Sequence, residues 1–323
     1  MTSKQLPINS GFAAATTADQ VLAGRNLSGI TAIVTGGHSG IGLETTRALA
    51  QAGARVIVAA RDVDAARERT RGISHVEVER LDLADQGSLY DFSQRILRAR
   101  RHIDIMINSA GIMATPETRV GPGWEAQFAI NHLGHYALVN RLWPALRGGA
   151  RVIALSSAGH HQSDIRWDDT QFIQGYNKWQ AYGQSKTACA LFAVHLDRLG
   201  QHSGVRAFSL HPGKIFTPLQ RHLTADEMIA AGWLDANGNP VDPTFKTAQQ
   251  GAATQVWAAT SPRLEGMGGL YCENCDIATL DEGLAPSFTG VRPYAINPEQ
   301  ASRLWALSAR LTGIDAFATR RRD

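Results

Sequence analysis

The sequence predicts a doubly wound α/β fold around a parallel sheet, as a single domain carrying one long insertion. Two observations carry this expectation. Six short apolar runs recur at 31–35, 55–59, 76–81, 103–107, 151–155 and 205–210, and several are continuous rather than alternating. Strands covered on both faces read this way. Longer segments with helical spacing separate them, three of them stopped by Gly53, Gly72 and Gly200. No internal repeat or clean linker divides the chain.

In order, residues 1–27 read as an extension with a short helix over 17–23. The helices expected next cover 41–52, 63–71, 88–101, 124–146 and 179–199. After residue 210 the rhythm breaks. The stretch 213–246 is rich in Pro, Gly and Asn and should hold two short helical pieces at most, as a lid does. A helix over 247–259 and a strand near 269–271 complete the sheet. The main domain is therefore expected at 28–275, followed by a C-terminal segment, 276–323.

Composition excludes several functions. With 323 residues and 44% hydrophobic content, a sizeable core is available. Lys+Arg 32 against Asp+Glu 29 leaves a net charge of +3, too weak to argue for nucleic acid. The longest basic run, Arg320-Arg321-Arg322, reads as a solubilising tail. No apolar stretch approaches the ~20 residues of a membrane span, so no membrane is expected. Three cysteines suit a reducing cytoplasm. Cys272 and Cys275 form a C-x-x-C after an expected strand. Without two further ligands or a following helix, they read as structural or incidental, and no metal is expected.

The first strand runs into Thr35-Gly36-Gly37-His38-Ser39-Gly40-Ile41-Gly42. Glycines at this turn let the backbone approach a pyrophosphate seated on the next helix N-terminus. The second strand ends Ala59-Ala60-Arg61-Asp62. An NAD site usually places a carboxylate at that strand end to hold the ribose hydroxyls. Here Arg61 offers a guanidinium suited to a 2′-phosphate, and Asp62 reads as a helix N-cap. These residues point to NADP(H). Asp82 and Leu83 after the third strand are placed to meet the adenine edge, although a loop or capping aspartate is an equal reading of Asp82. After the fourth strand comes Asn108-Ser109-Ala110-Gly111, after the fifth Ser156-Ser157, and after the sixth Pro212-Gly213-Lys214-Ile215-Phe216-Thr217. All lie at the carboxyl ends of strands, where open α/β sheets bind ligands.

On the helix after the fifth strand, Tyr182-Gly183-Gln184-Ser185-Lys186 places a phenol and an ammonium one turn apart on one face. An ammonium beside a phenol favours the phenolate, which suits proton transfer. Tyr176 has Gln180 four residues on and lacks such a partner.

Together these residues resemble the short-chain dehydrogenase/reductase family, with its Rossmann-like fold, over about residues 28–275. T-G-x-x-x-G-I-G stands at 35–42. The N-N-A-G element appears with Ser109 in second place, and P-G-x-x-x-T spans 212–217. The Ser…Tyr-x-x-x-Lys set matches Ser157, Tyr182 and Lys186, and the family's helix asparagine matches Asn131. Serine stands 25 residues before the tyrosine (182 − 157), where most members have about 13. That longer insert is similar to the retinol-dehydrogenase-like branch, which favours NADP(H) and apolar substrates. No N-terminal anchor is evident, which argues against retinoids as the natural substrate.

The resemblance implies roles. Tyr182 exchanges the proton on the substrate oxygen, Lys186 supports it and holds the nicotinamide ribose, and Ser157 hydrogen-bonds the carbonyl. Asn131 holds a relay water, and Thr217 meets the nicotinamide carboxamide. Gly36, His38, Ser39, Gly40, Ile41, Gly42, Asn108, Ala110, Gly111, Pro212, Gly213 and Ile215 complete the cofactor set. The aromatics Trp167, Phe172, Tyr176 and Trp179 of the insert, with Phe216, Leu219, Met228 and Trp233 of the lid, either line an apolar pocket for a carbonyl or alcohol or simply pack the insert. His132, His135, His160 and His161 read as structural or surface residues. Pairing through the helices of Asn131 and Tyr182 is implied as a possible homo-oligomer. Extended-branch epimerases and dehydratases, or an NADP(H)-sensing protein, are the rival readings. The glycine spacing and the complete catalytic set argue against them.

Overall fold

A computed structural model describes residues 4–283 and 288–318, so the basic run Arg320-Arg321-Arg322 lies outside the described residues. Eight strands form the central sheet: β1 (Thr31–Thr35), β2 (Arg55–Ala60), β3 (Val76–Arg80), β4 (Ile105–Asn108), β5 (Ala150–Leu155), β6 (Val205–His211), β7 (Leu270–Glu273) and β8 (Asp276–Ile277). Their spatial order is β8-β7-β6-β5-β4-β1-β2-β3. Only the terminal β7/β8 pair is antiparallel. Strand order reverses between β1 and β4, which opens a crevice at their carboxyl ends. Register aligns those ends: Thr35 pairs with Ala59, Asn108 with Ala154, and Leu155 with Leu210.

Both faces of the sheet are covered, as the unbroken apolar runs require. On one side lie α1 (Ala18–Leu22), α2 (Gly40–Gln51) and a later helix over Ala248–Thr260, meeting the sheet through Leu49, Val256 and Trp257. On the other, Leu89 and Phe92 of α4 (Gln86–Arg98), Leu138 of α5 (Gly134–Leu146) and Phe192 of α6 (Lys178–Gly200) fill the interior. Burying each such side chain contributes roughly 1.5–3 kcal/mol. The helix α3 (Val63–Arg69) follows β2, and Asp62 caps it by accepting from Ala65 N at 2.9 Å.

The expected helix over 124–146 is corrected. Trp124–Glu125 pairs as a short strand with Arg119–Val120, and helix begins at Ala126. The buried Glu125 carboxylate forces this start by accepting from Gln127 N and Phe128 N. A π-helical turn, Ala129–Leu133, then carries Asn131 before α5 begins. π-Turns of this kind often mark functional positions.

The insertion after β6 is closed at its neck, where Lys214–Ile215 pairs with Phe245–Lys246. It holds a 3₁₀ turn at Pro218–Gln220 and α7 (Ala225–Ala230), consistent with two short helical pieces. The helix Ala248–Thr260 becomes α8.

The flanks are more ordered than their sequence suggested. Gln5 Nε2 donates to Tyr271 O and Ala278 O at 2.7 Å, and Ile8 N and Ser10 N donate to the Asp276 carboxylate at 2.9 Å. The segment after residue 275, left without elements above, contains β8 and α9 (Pro298–Thr312). Asn297 caps α9, Pro298 opens it, and Gly313 closes it at φ +69°. Trp305 of α9 stacks on Phe192 and meets Tyr136 edge-on, which covers one side of α5 and α6.

Cys272 and Cys275 are buried free thiols on β7 and the turn after it. Burial pushes the Cys275 thiol up to about 11 and that of Cys272 higher still. Neither side chain is poised as a thiolate. Among the described residues no His/Cys/Asp/Glu group is arranged to hold a metal ion. No helix among them is long and apolar enough to cross a membrane.

Candidate active site

The carboxyl ends of the strands line one cleft of about 1090 Å³. At its centre the turn after β1 is built from close approaches that only glycine permits. Gly36 (φ +66°) and Gly40 (φ +53°) adopt left-handed backbone. A Cβ on Gly42 would stand 2.5 Å from Gly36 O, and one on Gly40 would meet Thr217 at 3.2 Å. The turn opens α2, whose first amides and dipole face the cleft, a ready site for a pyrophosphate. Thr35 ties this turn to the next. Its hydroxyl accepts from Ser109 N (2.9 Å) and Ala110 N (3.0 Å) and lies 2.9 Å from His135 Nε2. His135 Nδ1 donates to Asn131 O at 3.0 Å, so Nε2 is the acceptor for the threonine proton. Burial holds the His135 ring neutral, its pKa lowered to about 4.

At the adenosine end Arg61 follows β2 into the cleft beside His38. Burial, then the charge of Arg69, lowers the His38 pKa below its usual range. Arg221, at the base of the lid, lines the same space, and its pKa is lowered by burial and by the charge of Arg61. Among the described residues neither Arg61 nor Arg221 has an ion-pair partner. Cations kept close and unneutralised fit a dianionic phosphate. Asp82 lines the cleft with Leu83, while its carboxylate accepts from Ala84 N at 2.9 Å.

The residues expected to be catalytic sit on α6 and the turn after β5. Tyr182 and Lys186 are 5% and 6% exposed, and Lys186 Nζ lies 5.6 Å from the Tyr182 ring centre. That ammonium donates to Leu155 O at 2.9 Å, while Ser156 Oγ donates to Lys186 O at 2.7 Å. Strand end and helix are thus locked together. Ser157 caps a 3₁₀ turn, Ala158–Gln162. A Cβ on Gly159 would lie 2.6 Å from Tyr182 Cε1 and 3.4 Å from Ser157 Oγ, so phenol and hydroxyl share one wall. Despite the long serine–tyrosine gap, Ser157 stands beside Tyr182. The extra residues loop out and return along α6, where Gln184 accepts from Arg166 N and donates to Thr170 O.

Most sequence-expected residues meet at this cleft: Gly36, His38, Ser39, Gly40, Ile41, Gly42, Arg61, Asp82, Leu83, Ala110, Gly111, Ser157, Tyr182, Lys186, Pro212, Gly213, Ile215 and Thr217. Asn108 and Asn131 do not reach it. Asn108 is buried one layer behind, and Ser109 takes the exposed place. Asn131 Oδ1 accepts from Ile112 N, and its Nδ2 donates to Ile112 O and Ser185 Oγ, each at 2.9 Å. The aromatics divide. Trp179, Leu219 and Trp233 line the cleft, joined by Met113, Phe245 and Phe288, which sequence reading missed. Phe172 is fully buried, Trp167 packs under Arg303, and Tyr176 donates to Thr115 O at 2.9 Å. Phe216 stacks on Phe245 with centres 4.0 Å apart.

A parallel sheet with a glycine cradle at its switch point and a buried tyrosine–lysine pair beside it defines a nucleotide-dependent α/β oxidoreductase. The family model described as short chain dehydrogenase matches residues 30–228. A probable oxidoreductase of Streptomyces lividans is 43% identical over 297 residues, covering 88% of this chain and 98% of its own. Retinol dehydrogenase 11 of Mus musculus is 37% identical, covering 89% and 88%. A solved structure of an uncharacterized protein from Mycobacterium paratuberculosis superposes with a TM-score of 0.70 at 31% identity, covering 94% and 98%. The chain belongs to the short-chain dehydrogenase/reductase family, and its similarity extends to the retinol-dehydrogenase branch.

Proposed function

We propose that the chain interconverts a carbonyl and an alcohol on a fairly large apolar small molecule, using NADP(H). The observation that carries this reading is the shared wall at Gly159, where Ser157 Oγ and the Tyr182 ring converge with Lys186 one turn behind. Ser157 would orient the substrate oxygen, and Tyr182 would hold or release the proton at that oxygen. Lys186 would keep a positive charge beside the phenol. The nicotinamide, when bound, supplies or accepts the hydride. Asn131 would act through Ile112 and Ser185, fixing the wall around Lys186; a relay water would have to use its remaining Oδ1 lone pair.

Two features favour NADP(H) over NAD(H). Arg61 stands where a carboxylate would hold ribose hydroxyls, and Asp62 spends its side chain on capping α3. The substrate side favours apolar compounds because Met113, Trp179, Leu219, Trp233 and Phe245 line it. Trp305 already covers one side of α5 and α6, so any pairing of two chains through these helices would have to use their other faces. The reading is tested by NADPH consumption against carbonyls from small aldehydes to steroid-sized ketones, with Tyr182→Phe alongside. Turnover by the wild type alone supports it. Activity retained by the variant overturns the assignment of the tyrosine, and oxidation of bound cofactor without net consumption would favour an epimerase.

A further inference from the structure

The family-model match ends at residue 228, yet a segment far beyond it reaches under the turn that carries Ser157. Arg292 N donates to His160 Nε2 at 3.1 Å. Because a backbone N–H occupies Nε2, the ring proton sits on Nδ1 and is donated to Ser157 O at 2.7 Å. His160 N also donates to Ser157 O, at 3.0 Å. The ring is fully buried, and burial together with His161 lowers its pKa to about 3. It is therefore neutral, with one fixed tautomer, across the working pH range.

His160 has further partners on β7, α6 and the C-terminal strap. Tyr294 OH donates to His160 O at 2.7 Å, and the Tyr271 hydroxyl lies 3.3 Å from Nδ1. The C-terminal strap is itself anchored. Val291 N donates to Thr279 O at 2.9 Å, and the Arg292 guanidinium stands 3.5 Å from the Asp281 carboxylate, which also meets His161 at 3.3 Å. On the opposite side His211 Nδ1 accepts from Ala158 N at 3.0 Å. The serine turn is thus gripped between β6 and the strap.

We propose that the strap around Arg292 belongs to the catalytic apparatus, with His160 as the positioning residue that transmits its placement to Ser157. This rests on the reading of Ser157 as the hydroxyl that orients the substrate oxygen. A packing histidine would need neither bond. Here both ring nitrogens are spent on linking two backbones that lie 135 residues apart (292 − 157).

Backbone geometry allows a sharp test. Arg292 already has φ −67° and ψ 139°, values proline accepts. Arg292→Pro deletes the N–H, and Arg292→Ala removes the guanidinium while keeping it. His160→Leu removes both ring bonds, and His160→Asn retains a donor toward Ser157 O. His160→Leu and Arg292→Pro should lower kcat by about tenfold to a hundredfold, as for a misplaced carbonyl-orienting donor. NADPH affinity, read by fluorescence titration, should stay unchanged. Arg292→Ala, which keeps the N–H but loses the anchor to Asp281, should lower kcat less than Arg292→Pro does, and His160→Asn should recover much of the loss. Undiminished kcat in Arg292→Pro, or equal losses in kcat and NADPH affinity, would overturn the inference. Ser157→Ala separates the two levels: an active Ser157→Ala sinks the reading of the serine, whereas an inactive one beside active Arg292→Pro sinks the strap alone.

Discussion

The two halves of the cleft are built by different means. The nucleotide half is backbone pressed on backbone: Gly42 against Gly36, Gly40 against Thr217, and Thr35 tying β1 to the turn after β4. The substrate half is side chains from the start of α6 and the insertion after β6, with Trp179 meeting Trp233 and Phe245 stacking on Phe216. A surface made of close backbone approaches tolerates no added atom. One made of aromatic side chains can change shape residue by residue, which suits a part that selects substrates.

The proposed catalytic pair, Tyr182 and Lys186, stands between these halves, so its removal should have the largest effect. Tyr182→Phe is expected to lower turnover by about 10²–10⁴-fold, typical of a lost general acid. NADPH binding by titration should persist, because the nucleotide half is untouched.

Acid should attack the frame and spare the lid. His132, His135, His160 and His211 are held neutral by burial, with pKa values lowered from 6.5 to between about 3 and 4. In the unfolded chain the same rings protonate near pH 6.5. Between those limits the unfolded state binds more protons, so stability falls as pH drops below about 6.5, by about 1.4 kcal/mol per pH unit for each ring. Thermal midpoints should hold from pH 7.5 to about 6.5 and decline from there to pH 5; a flat profile would mean the rings are hydrated.

Gly42→Ala should break the comparison if the cradle can yield. Its methyl would stand 2.5 Å from Gly36 O, an overpacking of about 1–3 kcal/mol. Weaker NADPH binding with a lower melting point is expected. Trp233→Ala should do the converse, raising KM for large carbonyls and leaving NADPH affinity alone.

Arg61→Ala sharpens the cofactor side further. Losing a hydrogen bond to a charged phosphate, about 1.5–3 kcal/mol, should weaken NADPH roughly tenfold to a hundredfold while NADH is unaffected. Equal losses for both cofactors would remove the argument for NADP(H).

The smallest effect should come from the lid latch, where Lys178 of α6 donates to Glu227 of α7. Glu227→Gln is expected to raise substrate KM slightly, and added salt should erase the difference.

Local chemistry made much of this readable in advance. The glycine turn, the tyrosine and lysine one helical turn apart, and Asp62 as a cap are each set by neighbours a few residues away, and steric rules or hydrogen bonding dictate them. The signals for α9 are equally local, in Asn297-Pro298 and Gly313. Other features had no local signal. Glu125 restarts a helix because its carboxylate is buried beside two free amides, and nothing in the residue order announces that burial. Arg221, Phe245 and Phe288 join the cleft only because the lid and the C-terminal segment fold over it.

The sequence by itself thus determined the alternation of strands and helices, the glycine turn after β1 and the placing of Tyr182 and Lys186 one helical turn apart. These follow from periodicity and from constraints within one or two turns of chain. Only the tertiary structure decided which residues stand behind them. Asn131 turned to its scaffold rather than the cleft, α9 covered α5 and α6, and Arg292 came to rest on His160 beneath Ser157. Those outcomes depend on contacts between segments more than a hundred residues apart or on a buried amide with no other partner to choose, and pairings of that kind are settled by packing.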